Sequence, residues 1–178
     1  ETLQSLSPQQ AWDPVLEAAI EALNVQGKQS STAYNALIAG LHLRNDSLDV
    51  SHSYAQRIEH DPTGAYWHGI MHRMEGDFSN AKYWFMRAGK HPVMATVKQR
   101  VADWLQSGFS PDAITQGRMR DMLVSFQTEE AWYPSAFTDL VAWQSGSGGS
   151  ETARRVLEHL QHIEVTALFE HTHREAIK

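Results

Sequence analysis

The chain has 178 residues, of which 42% are hydrophobic and 20% charged, with a formal net charge of -6 and no cysteine. That size and balance belong to a globular chain able to bury a real core, not to a disordered or fibrous one. An acidic balance with no block of lysine and arginine argues against nucleic-acid binding. No apolar run reaches the roughly 20 residues of a membrane span. The missing cysteines exclude disulfides, thiolate catalysis and cysteine-based zinc sites, while histidine and carboxylate metal sites stay open. A cytoplasmic protein is the expectation, and the start at Glu1 in place of methionine fits removal of a tag or signal segment.

Apolar residues recur at intervals of three and four nearly everywhere, without strand alternation, which predicts an all-α fold. About seven or eight antiparallel helices in a single compact domain over 1–178 are expected. Ser7-Pro8 reads as an N-cap opening a helix that carries Trp12, Val15, Leu16, Ile20 and Leu23 and breaks at Gly27. A second helix from about Ser31 to Leu43 presents Tyr34, Leu37, Ile38 and Leu41. Asn45-Asp46 ends it and caps a third, whose face is Leu48, Val50, Tyr54 and Ile58. Asp61-Pro62-Thr63-Gly64 is turn chemistry. A helical hairpin follows over 65–90, with a first helix from about Ala65 to Glu75, a break at Gly76, and Asp77 as N-cap of a second from Phe78 to Gly89. Pro92 starts a helix bearing Val93, Val97, Val101, Trp104 and Leu105. Ser110-Pro111-Asp112 opens a shorter stretch through Met119 and Leu123, and Trp132-Tyr133-Pro134 punctuates before Phe137, Leu140 and Val141. The glycine-serine run 145–150 is a short flexible linker, after which Ser150 caps a long last helix bearing Val156, Leu157, Leu160, Ile163, Leu168 and Phe169.

The hairpin concentrates aromatic, imidazole and charged side chains. His68 and His72 are four apart and share a helical face with Glu75, beside an apolar stripe of Trp67, Ile70, Met71 and Met74. Such an imidazole pair can ligate a divalent metal given a third ligand, for which Glu75 and His52 are the candidates. The same histidines suit acid–base work near neutrality. The commonest role for such a pair is structural, hydrogen-bonded to carboxylates or carbonyls. His52, on the preceding helix, is the long-range candidate to face them, because short connections make consecutive helices neighbours. Arg73 offers a planar fork for a carboxylate or phosphate, or a brace for a helix end. Asn80 serves a ligand or the helix cap, Tyr83 can stack on a planar ligand, and His91, held out of helix by Pro92, stands at a helix junction. Trp84 is read as core or rim.

Further along, His159, His162, His171 and His173 read mainly as solvated, whereas Glu164, amid apolar residues of the last helix, needs a partner if buried. Trp104 and Trp143 suit either core or an oligomer contact, and oligomeric state is not readable. No phosphate loop, dinucleotide glycine pattern or nucleophile-elbow serine is present.

Ala65 to Pro92 resembles a tetratricopeptide-type helical hairpin, with the family's small and bulky positions at Gly69, Ala81, Phe85 and Ala88 and the turn at Gly76-Asp77. His68 and His72 depart from that pattern, and no second copy appears at the repeat period. Trp67 to Pro92 also resembles a family of uncharacterised, mainly helical microbial proteins with a signature close to W-H-G-I-x-H-R-x-E-x-D-[FY]-x-N-A-K-Y-W-F-x-R-x-G-x-H-P. That resemblance implies a helical domain and supplies no reaction. The functional expectation is a binding or interaction domain with a His/Arg/Glu pocket for a small polar ligand or peptide. The alternative is an enzyme using His52, His68, His72 and Glu75 as metal ligands or acid–base groups.

Overall fold

A computed structural model describes residues 2–24 and 31–178. The fold is all-α, with no strand among the described residues. They form nine α-helices, against the seven or eight expected: α1 (Pro14–Asn24), α2 (Thr32–Arg44), α3 (Leu48–Gln56), α4 (Pro62–Glu75), α5 (Phe78–Ala88), α6 (Val93–Gly108), α7 (Arg118–Thr128), α8 (Pro134–Trp143) and α9 (Glu151–Ala176). None is long and apolar enough to cross a membrane. The chain clusters into two units, one of Ser7–His91 with Leu168–Lys178, the other of Glu1–Leu6 with Pro92–Ala167.

In the Ser7–His91 unit the turn signals act as their chemistry dictates. The Ser31 hydroxyl accepts from the Tyr34 amide at the start of α2. The Asp61 carboxylate accepts from Gly64 N at 2.9 Å ahead of Pro62, so α4 begins three residues before Ala65. Between α4 and α5, Gly76 adopts the left-handed conformation at φ 83°, open to glycine without penalty, and Asp77 caps α5. Close approach fixes the hairpin: a Cβ on Gly69 would lie 2.6 Å from Cε1 of Phe85. Helix α4 packs against α5, α3 and α2 and is buried without interruption from Gly64 to Met74. Trp67 closes its inner face, donating from Nε1 to Thr172 Oγ1 at 3.1 Å. A further core joins Ile20, Ile38, Ala39, Tyr54 and Ala55.

The first helix departs from expectation. Ser7-Pro8 does not start it; residues up to Asp13 are non-helical and α1 begins at Pro14, capped by the Asp13 carboxylate, which accepts from Val15 N at 2.8 Å. The physical reason is Asn45. Its carbonyl accepts from Trp12 N at 2.8 Å, its side-chain oxygen accepts from Asp13 N at 3.1 Å, and its amide donates to Asp13 O at 2.9 Å. Those bonds hold the segment out of helix. Of the expected face only Ile20 is buried, with Trp12 and Val15 73% and 76% exposed. Gly27, the predicted break, lies outside the described residues. Asn45-Asp46 does end α2, but Ser47 is the residue preceding α3.

In the Pro92–Ala167 unit, Val97, Val101 and Leu105 of α6, Leu123 and Phe126 of α7, Phe137, Leu140 and Val141 of α8, and Leu157 and Leu160 of α9 are buried. Ser110-Pro111 opens a short 3-10 turn, and α7 starts later, at Arg118. The 145–150 run is not featureless: Gln144–Gly148 forms a π-type turn, and Ser150 Oγ accepts from Ala153 N at 3.1 Å to start α9. Glu164 is fully buried and accepts from Trp132 Nε1 at 2.9 Å.

Candidate functional site

The Ser7–His91 unit gathers the predicted histidines. His68 and His72 rise from α4 one turn apart, and His52 reaches them from α3, which packs on α4. Ring centroids are 4.7 Å apart for His52–His68, 5.2 Å for His52–His72 and 4.9 Å for His68–His72. One nitrogen from each lies within 4.8 Å of the other two. The expected third member is therefore His52, while Glu75 serves another role: its Oε2 sits 3.1 Å from Nδ1 of His72. A carboxylate only accepts, so Nδ1 of His72 carries the proton and Nε2 is left as acceptor. The Asn80 side-chain amide lies 3.1 Å from that Nε2.

Burial favours the neutral ring at His68 and at His72. His68 is 2% exposed and stacks on Trp84 with centroids 3.9 Å apart and planes 11° from parallel. Burial, then the neighbouring His52 and His72, pushes its pKa down to about 3. Burial also lowers His72, opposed by the nearby Glu75 carboxylate. Nδ1 of His68 is buried with no hydrogen-bond partner among the described residues.

Of the other predicted residues, Asn80 joins the cluster through His72, whereas Arg73 and His91 make their contacts elsewhere. Arg73 is buried, its guanidinium 5.6 Å from the centre of the Phe85 ring. Asn80 does not cap α5, since Asp77 accepts from its backbone amide at 3.2 Å; its side chain turns to His72 instead. Tyr83 is 46% exposed and meets Trp84 edge-on. His91 belongs to a different group, with Nε2 3.0 Å from Thr63 Oγ1 and its ring against Tyr66 and His171. Burial and then His171 hold its pKa down at about 4. His171 is thus packed against a neighbour and not simply solvated, and His159 stacks on Trp104 at 4.6 Å.

A cavity of about 480 Å³ opens beside the cluster. Glu75 stands on its wall, joined by Glu17, Asp46 and Asp49, with Gln9 and Gln10 from the non-helical segment before α1. Among the described residues, no lysine or arginine lines it. This chamber has no cue in the sequence, because its Ser7–Ala11 wall reads as helix. A cue to Trp84 and Asn80 did exist. In a tight hairpin, residues equally far from the turn face each other, and His68 and Trp84 are each eight residues from Gly76, His72 and Asn80 each four.

Set against known proteins, the chain matches no family model, no curated protein and no solved structure.

Proposed function

We propose that the Ser7–His91 unit is a binding module whose chamber takes a small polar molecule carrying positive charge, such as an amine or guanidinium. The observation that carries this reading is the charge of the wall: Glu17, Asp46, Asp49 and Glu75 surround about 480 Å³ with no lysine or arginine among the described residues that line it. The volume falls in the range of roughly 300–1,000 Å³ common to small-molecule sites. At about 4 Å an opposite charge gains roughly 1 kcal/mol in water and about 4 kcal/mol near a protein surface. Several carboxylates around one cation therefore outweigh the loss of its water, while the Gln9 and Gln10 amides and the Ser47 hydroxyl supply directional bonds. A peptide would engage this chamber through a single lysine or arginine side chain, since the volume admits little more.

Calorimetric titration with 1,4-diaminobutane, against 1,4-butanediol as a neutral match in length, tests the reading. The diamine should bind and the diol should not. Asp49→Asn and Glu17→Gln should each weaken the diamine roughly tenfold, the equivalent of about 1.4 kcal/mol. Equal binding of diol and diamine, or indifference to both substitutions, overturns it.

We also read α4 and α5 as a tetratricopeptide-type pair; its support is Gly69 lying against Phe85 across the hairpin. Catalysis, the alternative function, draws instead on the three converging histidines.

A further inference from the structure

We infer that His52, His68 and His72 form a binding site for one divalent transition-metal ion. This does not depend on the chamber's taking a cation, because none of the three ligands lines the chamber; Glu75 alone is shared, as the outer partner of His72. The first support is convergence. Three imidazoles from two helices bring one nitrogen each to within 4.8 Å of the others. Tetrahedral coordination at about 2.0–2.1 Å requires nitrogens roughly 3.3 Å apart, a contraction that small side-chain rotations supply.

The second support is the buried, unpartnered Nδ1 of His68. His68 is 2% exposed, and a buried polar atom without a partner is unfavourable. Its ring is also fixed, because Trp84 covers one face at 3.9 Å. A π face is a favourable neighbour for an imidazole that acquires positive character on binding a cation.

The third is the outer arrangement around His72. Metal-bound histidines commonly donate their second ring nitrogen to a carboxylate, which fixes tautomer and orientation. Glu75 accepts from Nδ1 of His72 in this manner, leaving Nε2 as the coordinating atom. The Asn80 amide now lies on that lone pair at 3.1 Å, so coordination displaces it. Glu75 is accordingly a positioning residue, not a ligand.

The ligand set defines the ion. Three neutral imidazoles without thiolate or direct carboxylate suit Zn²⁺, Co²⁺, Ni²⁺ or Cu²⁺, and do not suit Mg²⁺ or Ca²⁺, which want oxygen. Three protein ligands also leave a coordination position for water or an exchangeable group, as in catalytic and not structural zinc sites.

The test uses the full chain, dialysed against chelator and titrated with Zn²⁺ by calorimetry, with Co²⁺ absorption as a report of coordination geometry. One Zn²⁺ per chain should bind, unaffected by a roughly hundred-fold excess of Mg²⁺. Because His68→Ala alters the buried core and can fail to fold, the decisive variant is His52→Gln, at the half-buried position on α3. It should abolish stoichiometric binding and the tetrahedral Co²⁺ spectrum while circular dichroism stays native. Glu75→Gln should keep the stoichiometry and weaken affinity roughly 10–100-fold. His60→Gln, at an exposed histidine, should change nothing. Folded wild-type protein that takes up no Zn²⁺, or a His52→Gln variant that binds as wild type does, overturns the site.

Discussion

Replacing Gly69 by alanine isolates the contact on which the hairpin depends. The added Cβ would lie 2.6, 2.7 and 3.0 Å from Cε1, Cδ1 and Cζ of Phe85, against ordinary carbon contacts of roughly 3.5–4.0 Å. The ring has little freedom to retreat: Phe85 is buried, Tyr66 meets it edge-on at 5.4 Å, and the Arg73 guanidinium lies 5.6 Å from its centre. Forcing a methyl group into a packed contact destabilises by about 1–3 kcal/mol. Alanine recovers about 1 kcal/mol of helix propensity over glycine. The expected net loss is therefore about 0–2 kcal/mol, measured as the shift in urea midpoint at constant slope. The matching experiment places Gly69→Ala on a Phe85→Leu background, where the ring atoms that meet the new Cβ are gone. There the alanine should be neutral or mildly stabilising, and the cycle should show coupling of at least about 1 kcal/mol. The same loss in both backgrounds, or a gain in the wild type, would refute close packing of α4 on α5 at this position.

Two further outcomes follow from buried polar groups. His91 is held neutral by burial and by His171, against the opposing charge of Asp61, with Thr63 and Tyr66 completing its surroundings. With a folded pKa of about 4 against 6.5 unfolded, it refuses a proton that the unfolded chain accepts, so its contribution is intact above pH 6.5 and is lost as pH falls toward 4. Between pH 6.5 and 5 the wild type should lose about 2 kcal/mol more than His91→Gln, each unit contributing about 1.4 kcal/mol; parallel pH profiles in urea melts would refute this. Trp132→Phe keeps most of the ring but removes the Nε1–H that Glu164 accepts at 2.9 Å. It should destabilise by about 1–3 kcal/mol at neutral pH, whereas unchanged stability in the same melts would mean that the carboxylate does not depend on the indole.

Local chemistry was legible wherever a few adjacent residues decide the outcome. Ser31, Asp61-Pro62, Gly76-Asp77 and Ser150 each carry their own reason to start or stop a helix, and each does so. Ser7-Pro8 offers the same signal and fails, because Asn45, remote in sequence, holds Trp12 and Asp13 by backbone and side-chain bonds that a helix beginning at Pro8 could not make. The cavity is walled in part by that non-helical segment and was hidden for the same reason. Reading α4 as an amphipathic wheel fails differently. Its apolar and polar stripes are real, but eleven successive residues from Gly64 to Met74 are buried, so no stripe faces solvent.

That burial changes what the hairpin histidines can be. An imidazole on a solvated face needs no partner and titrates near neutrality, whereas one inside a helix layer must be neutral and either stacked, hydrogen-bonded or coordinated. The chain meets these conditions with residues whose positions the Gly76-Asp77 turn sets: Trp84 for the face of His68, Asn80 for Nε2 of His72, and Glu75 at the last residue of α4 for Nδ1. His52 is the one member that the turn does not place; it arrives with α3. The two α4 rings are thus oriented by the hairpin itself, while the third depends on the packing of a separate helix. Removing His52 therefore separates chemistry from folding in a way that neither α4 histidine allows.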